Sequence, residues 1–202
     1  MLNGSRNVGY SQSGEELVIL AHFGDFIGTL VDCGSNDGVT YSNSRALMEH
    51  GWAGFFYEPA PAAYEKLAAL YKDNPLAACY PYAVADQKDI AEFYDYGTHL
   101  GTGDTSLLST LDKNETRRWG GPQKFNKIQV GIIDAATIPA ADFITIDCEG
   151  MDYLILSRID LSMARMVCVE FNGKDKAKFD ALMLPKGFHV AYISAENILY
   201  AK

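Results

Sequence analysis

The stretch TLVDCGSNDGVTYSN, residues 29–43, indicates the class of fold. It begins with an apolar, β-branched run that ends at the acid Asp32, and Gly34 and Gly38 follow at once. A strand that breaks into a glycine-rich turn predicts the first β-to-α connection of a nucleotide-binding α/β fold, whose ligands lie beyond the carboxyl ends of the strands. The carboxylate at the mouth of this turn restricts which ligand can bind.

Outward from this stretch, strand and helix patterns alternate along the chain. The first helix pattern contains Ser13 followed three residues later by Glu16, a capping box. The alternation predicts a mostly parallel sheet with helices on both faces, and the two closing strands predict an antiparallel hairpin at its edge. Strands are predicted at residues 28–34, 52–59, 76–84, 90–96, 127–133, 142–150, 165–173, 188–194 and 197–202, and helices at 13–24, 42–51, 62–74, 151–159 and 175–187.

Length, charge and cysteine usage limit the class of protein. The 202 residues fit one domain, 1–202, which starts with a segment and helix at 1–28. The formal net charge of -9 argues against a nucleic-acid partner, because binding phosphates needs a basic footprint. No apolar run approaches the roughly 20 residues of a membrane span. The four cysteines form no CxxC pair, so we expect free thiols and a cytoplasmic protein.

The acids at the strand ends distinguish between candidate ligands. A dinucleotide fingerprint, G-x-G-x-x-G, would need glycines where Asn36 and Val39 stand. Asp32 would also repel a pyrophosphate, so an NAD-dependent reductase is disfavoured. S-adenosylmethionine carries an ammonium, a sulfonium and no phosphate, and an acidic crevice suits it. Glu58, at the end of the second strand, suits the ribose hydroxyls of either ligand.

Six stretches together resemble the FkbM-type S-adenosylmethionine-dependent methyltransferases. The resemblance implies the class I methyltransferase fold, a Rossmann-like, seven-stranded, mostly parallel sheet of order 3-2-1-4-5-7-6 whose last strand is antiparallel. It also implies O-methylation, often of sugar or natural-product hydroxyls. The stretches are YSQSGEE, VDCGSNDGVTYSN, GWAGFFYEPAPAAYEKL, YAVAD, ITIDCEGMDYLIL and VCVEFN.

The resemblance assigns the cofactor turn first. Asp32, Gly34 and Asn36 match the family's turn, in which glycine lets the backbone approach the methionine half and Asp32 orients the ammonium group. Glu58 and Pro59 match the Glu-Pro that follows the second strand, and Glu58 is expected to hold the two ribose hydroxyls through charge-assisted hydrogen bonds.

Further cofactor contacts are expected on both sides of this turn. The family's segment around Gln12 closes over the cofactor, and Asn43 can meet the donor carboxylate near a helix N-terminus. Ala83 and Val84 are expected to flank the adenine at the end of the third strand, where Asp86 accepts a hydrogen bond from the exocyclic amine. The candidate cofactor-binding residues are Gln12, Asp32, Gly34, Asn36, Asn43, Glu58, Pro59, Ala83, Val84, Asp86 and Asp147.

The chemistry is expected at the sequence IDCEG. Asp147 and Glu149 are two residues apart and face the same pocket if the strand continues that far. Methyl transfer to a hydroxyl benefits from a general base, and Glu149 is the candidate base, with Asp147 positioning donor or acceptor. Glu170, which ends the next strand, is the third candidate catalytic residue. Neighbouring acids raise one another's pKa, which suits a base.

Two alternatives remain open for the same site. One alternative is an O-methyltransferase assisted by a divalent metal ion. The oxygen atoms of a four-residue set are compatible with Mg²⁺ or Ca²⁺, namely Asp147, Glu149, Glu170 and Asn172, but the sequence identifies none of them as a metal ligand. Zinc or iron is disfavoured because no histidine lies beside these strand ends. The other alternative is an N-methyltransferase, although the Asn/Asp-Pro-Pro-aromatic motif of nucleic-acid N-methyltransferases is missing after the fourth main strand. A binding module without activity is disfavoured by the intact acids.

The segment 97–126 is glycine-rich and shows little periodicity, which predicts a lid or acceptor loop. Thr105 and Ser106 resemble the family's serine-rich stretch, and His99 is the one histidine that we consider for a role. The run TRRWGG, with Arg117, Arg118 and Trp119, can meet an anionic or sugar acceptor through charge and stacking, or it can be a solvated surface turn. The expected partner is therefore a small-molecule or sugar acceptor.

Overall fold

The computed structural model describes residues 9–97 and 107–202. The strands are β1 Thr29–Cys33, β2 Ala53–Tyr57, β3 Ala77–Tyr80, β4 Tyr82–Ala85, β5 Asp89–Asp95, β6 Asn126–Asp134, β7 Phe143–Ile146, β8 Met166–Glu170, β9 His189–Ile193 and β10 Asn197–Ala201. The α-helices are α1 Glu15–Phe23, α2 Arg45–Glu49, α3 Pro61–Tyr71, α4 Asp152–Arg158 and α5 Lys176–Met183. Short 3₁₀ helices cover Glu115–Trp119, Pro122–Lys124, Ala135–Thr137 and Leu184–Lys186.

The main sheet has seven strands in the order β3-β2-β1-β7-β8-β10-β9. Strand β10 runs antiparallel to both of its neighbours, and the other pairings are parallel. The predicted fold class is therefore confirmed. The strand numbers differ in detail from the predicted order because β4, β5 and β6 form a second sheet. If only the seven strands of the main sheet are numbered along the chain, their order is 3-2-1-4-5-7-6.

The second sheet, of order β4-β6-β5, was not predicted. The sequence predicted a single strand over residues 76–84, but Pro81 separates β3 from β4, and the two strands belong to different sheets. Proline has no N–H to donate to a ladder and so favours such a break. Ala83 and Val84 consequently lie on β4 rather than at the end of the third main strand, which corrects the prediction.

The central strands are buried on both faces, as expected for a parallel sheet. Alternate residues of each strand point to opposite faces. On β1, Leu30 packs in the core beneath α1, α2 and α3, whereas Val31 packs in the core beneath α4 and α5. This layering fixes the strands, so that the turns after β1, β2, β7 and β8 share one edge of the sheet.

The predicted lid segment is only partly described. An antiparallel bridge joins Tyr94 to Thr110, and two 3₁₀ helices follow it. His99, Thr105 and Ser106 lie outside the described residues. Within residues 9–97 and 107–202, no helix combines the length and apolar character needed to cross a membrane.

Candidate active site

Two adjoining cavities open at the carboxyl edge of the main sheet. The larger has a volume of about 380 Å³ and the smaller of about 60 Å³. Gly34, Asn36, Asp147 and Glu149 line both cavities. Of the other predicted site residues, Gln12, Asp32, Asn43 and Glu170 line the larger cavity, and Glu58, Pro59, Ala83 and Val84 line the smaller one.

Asp86 is the one predicted site residue that lines neither cavity. Its side chain is exposed just beyond β4, where it interacts electrostatically with Arg158. The break at Pro81 redirects β4 into the second sheet and so determines where this acid lies.

The carboxylate of Asp32 is buried at the floor of the larger cavity. The Ser44 hydroxyl, next to the start of α2, donates to Asp32 Oδ2 at 2.5 Å. The Ser35 hydroxyl donates to the Asp32 carbonyl oxygen at 2.8 Å. Burial raises the pKa of Asp32 to about 6, although the hydroxyl partners oppose the shift. A cationic ligand would favour the ionised carboxylate here.

Glu58 is held rigidly in the wall of the smaller cavity. The backbone N–H of Asn36 donates to Glu58 Oε2 at 2.8 Å, and that of Ala60 donates to Oε1 at 2.7 Å. Asn36 has a φ of 47°, a left-handed conformation that asparagine tolerates. Burial is the main cause that raises the pKa of Glu58 to about 7. Each carboxylate oxygen keeps a second lone pair for a ligand hydroxyl.

Three carboxylates converge above the ends of β7 and β8. One oxygen each from Asp147, Glu149 and Glu170 lies within 4.8 Å of the others. Glu149 and Glu170 are buried, whereas Asp147 is exposed and lines both cavities. Burial, followed by repulsion from neighbouring carboxylates, raises the pKa of all three.

Glu149 reaches this cluster through a turn and not through an extended strand. Strand β7 ends at Ile146, so the alternation of strand side chains does not apply to Asp147 and Glu149. Glu149 instead adopts a φ of 43°. The Asp152 carboxylate accepts from Cys148 N at 2.7 Å and Gly150 N at 3.0 Å, which fixes the turn.

Two supporting residues were missed by sequence reasoning. The Thr110 hydroxyl donates to the Glu149 carbonyl oxygen at 2.6 Å and so connects the segment after residue 107 to the turn that contains Glu149. No local signal identifies Thr110, because it is 39 residues away in sequence. Asp152 carried a signal, since an acid at the start of a predicted helix often caps the preceding turn.

Several buried polar atoms on the cavity wall have no hydrogen-bond partner among the described residues. Such atoms are uncommon in folded proteins, so they mark positions where a polar ligand can bind. They belong to four lining residues and are Asn36 Nδ2, Asn43 Oδ1, Glu149 Oε2 and Glu170 Oε2.

The outer wall of the larger cavity is cationic and aromatic. Arg118 Nη1 lies 3.8 Å from Glu149 Oε2, and the same side chain is ion-paired with Glu115. The Arg118 guanidinium also lies 5.2 Å from the centroid of the Trp119 ring. Both residues line the larger cavity.

The smaller cavity has an apolar wall that sequence reasoning described only in part. Phe93, Leu111 and Met151 line it together with Ala83 and Val84. Phe93 comes from β5, which the unpredicted second sheet brings to this position. A flat, mostly apolar ring system fits such a wall, with Glu58 at its polar end.

Comparisons with known proteins agree with this geometry. The sequence model of the family described as Methyltransferase FkbM domain matches residues 32–190. No curated protein matches the chain by sequence. Among solved structures, the fold is similar to that of the candidate RNA methyltransferase PH1948 from Pyrococcus horikoshii, with a TM-score of 0.51 and 13% identity over 100% of this chain and 94% of that one. It is also similar to ribosomal protein L11 methylase from Lactobacillus delbrueckii subsp. bulgaricus, with a TM-score of 0.52 and 9% identity over 93% of this chain and 75% of that one.

Proposed function

The chain belongs to the methyltransferase FkbM domain family and is an S-adenosylmethionine-dependent methyltransferase, and from this premise we propose that it methylates a hydroxyl group of a small-molecule or glycan acceptor. The observation that carries the proposal is the side chain of Glu149. It is buried in the wall of both cavities, and its Oε2 atom has no hydrogen-bond partner among the described residues. A carboxylate in this position can accept the proton that a hydroxyl must lose.

The donor half of the proposal uses the residues on the β1 and β2 side. Asp32 provides a buried negative charge for the donor ammonium, and Glu58 provides fixed carboxylate oxygens for the ribose hydroxyls. Ala83 and Val84 provide apolar surface for the adenine. Asn43 and Gln12 border the same space and are suited to the polar end of the methionine half.

The acceptor half uses the β7 and β8 side. When bound, S-adenosylmethionine supplies a methyl carbon activated by its sulfonium. The chain's own residues then have to align the acceptor oxygen and remove one proton from it. Glu149 accepts the proton, Asp147 and Glu170 border the reacting groups, and Trp119 with Arg118 offers a stacking surface to a sugar or an anionic acceptor. In this proposal residues 1–202 act as a single catalytic domain, and the described residues 107–126 of the predicted lid include side chains that border the acceptor.

Calorimetric titration with S-adenosylmethionine tests the donor half. We expect saturable binding to the wild type and at least a tenfold loss of affinity in Glu58→Ala, because hydrogen bonds to a charged group contribute about 1.5–3 kcal/mol. Glu65→Ala, which removes an exposed acid on α3, is the matched control and should bind like the wild type. Equal affinity in all three proteins would contradict the assignment of Glu58.

A panel of acceptors tests the other half. We expect methyl ethers to form from hydroxyl acceptors such as sugars and polyols, with one S-adenosylhomocysteine released for each methyl group transferred. Amine analogues of the same acceptors serve as controls. Methylated amines without any methyl ether would overturn O-methylation in favour of N-methylation while leaving the donor site intact.

A further inference from the structure

The carboxylate cluster has the composition of a cation site. It consists of Asp147, Glu149 and Glu170, and one oxygen of each lies within 4.8 Å of the others. Two of these residues are buried: Glu170 is only 7% exposed, and the Glu149 side chain is 11% exposed. Buried carboxylates at this separation repel one another unless a positive charge lies between them.

The protein satisfies these oxygens only in part. Glu149 Oε2 and Glu170 Oε2 are buried without a hydrogen-bond partner among the described residues. Asn172, which also lines the cavity, lies close enough to the Glu170 carboxylate to oppose the rise in its pKa that burial causes. A buried carboxylate oxygen that receives no hydrogen bond from the protein is available to a cation.

The nearest guanidinium does not balance the charge of the cluster. Arg118 Nη1 is 3.8 Å from Glu149 Oε2, beyond hydrogen-bond distance, and the same group pairs with Glu115. Carboxylates that bind a cation are ionised, and three ionised carboxylates leave an excess of two negative charges even if the whole charge of Arg118 is assigned to the cluster. A divalent cation matches that excess.

We propose that Asp147, Glu149 and Glu170 bind one divalent, oxygen-preferring cation of the Mg²⁺ or Mn²⁺ class beside the acceptor. The three ligands are all carboxylates, which favours hard cations over zinc or iron. Such a cation takes about six oxygen ligands, so about three positions remain for water and acceptor oxygens. The inference rests on the proposed function, in which the same cavity holds the acceptor.

The cation would give the cluster a defined part in the reaction. A divalent charge lowers the pKa of a neighbouring hydroxyl and orients it toward the donor. Glu149 has two carboxylate oxygens, so one can bind the cation while the other accepts the hydroxyl proton. The proton then moves from the acceptor to Glu149, the acceptor oxygen bonds to the methyl carbon, and the carbon–sulfur electron pair stays on sulfur.

Mn²⁺ binding followed by electron paramagnetic resonance tests the site without any turnover. We expect one Mn²⁺ per chain in the wild type, displaced by excess Mg²⁺, and at least tenfold weaker binding in Glu170→Gln and in Asp147→Asn. Asp25→Asn makes the same acid-to-amide change at an exposed position after α1 and should bind Mn²⁺ like the wild type. Cooperative thermal unfolding shows whether each variant is folded. If Glu170→Gln does not fold, Asp147→Asn provides the test.

The opposite results would overturn the inference. These are no saturable Mn²⁺ binding by the wild type, or equal affinity in the wild type and a folded cluster variant. Titration of the same wild-type sample with S-adenosylmethionine separates the two proposals. If the cofactor binds and Mn²⁺ does not, the cation site is wrong and the methyltransferase proposal stands; if the cofactor does not bind, the proposed function itself fails.

Discussion

Gly34 lies directly against the backbone of Asp147, so that a Cβ atom added at residue 34 would stand 1.8 Å from the Asp147 carbonyl oxygen. Beside this contact, Asp147 N donates to the Cys33 carbonyl oxygen at 2.9 Å. The turn proposed to hold the donor and the turn proposed to carry the chemistry are therefore one packed unit. A change at Gly34 must displace the candidate catalytic acid.

Gly34→Ala should be much more harmful than another glycine substitution with the same backbone strain. Gly34 has a φ of +82°, whereas Gly51, at the end of α2, has a φ of +88° and no atom within 4 Å of the point where a Cβ would stand. We expect Gly51→Ala to lower the free energy of unfolding by about 1–3 kcal/mol, the cost of an unfavourable φ. Gly34→Ala should lose clearly more and should also lose cofactor binding. Chemical denaturation of both variants measures the difference, and equal losses would show that the contact with Asp147 is unimportant.

Glu149→Gln should lower kcat by about 10²–10⁴-fold, because a general base contributes that much to proton removal. The dissociation constant of S-adenosylmethionine should stay within about threefold, since the donor is assigned to other residues. Steady-state kinetics with any acceptor found in the panel, together with calorimetry, measures both values. Glu65→Gln, on the exposed side of α3, is the control. An unchanged kcat in Glu149→Gln would mean that another group removes the proton.

Stability without cofactor should fall as the pH rises from about 4 to 7. Burial is the main cause that raises the pKa of Asp32 from 3.8 to about 6 and that of Glu58 from 4.5 to about 7. The folded chain therefore holds protons that the unfolded chain has already released, and ionising these groups costs folding free energy. The raised pKa values of the carboxylate cluster act with the same sign.

Cofactor affinity should change in the opposite direction. The proposed contacts use the ionised forms of Asp32 and Glu58, so affinity should rise between pH 5 and pH 8. Melting temperatures measured across this range with and without S-adenosylmethionine test both signs at once. A stabilisation by the cofactor that is constant with pH would contradict the assignment of these two acids.

Asp86→Asn should leave the dissociation constant of S-adenosylmethionine within about twofold. Its side chain is exposed and lines neither cavity. Calorimetry on this variant beside Glu58→Ala compares two acids that both follow strands. A loss of fivefold or more would instead support the adenine contact predicted from sequence.

The sequence alone predicted the layered α/β fold and the acids at the ends of β1, β2, β7 and β8. Both depend on local information: apolar runs and helical periodicity define the elements, and parallel strands bring their carboxyl ends to one edge. Asp32 and Glu58 could therefore be predicted as neighbours from their places at two adjacent strand ends. The geometry that holds Glu58, with the Asn36 and Ala60 amides on its two oxygens, could not.

Only the tertiary structure decided how the site is closed and how its acids are arranged. The sequence shows Pro81, but it does not show that β4 pairs with β6. It also does not show that β5 brings Phe93 to the smaller cavity. The turn that aims Glu149 at Glu170 likewise depends on a bond from Thr110, 39 residues away in sequence. The physical reason is the distance along the chain over which each interaction acts. Adjacent residues determine where a strand ends or a helix is capped, whereas burial, charge repulsion and unpartnered oxygens arise only when distant segments pack together.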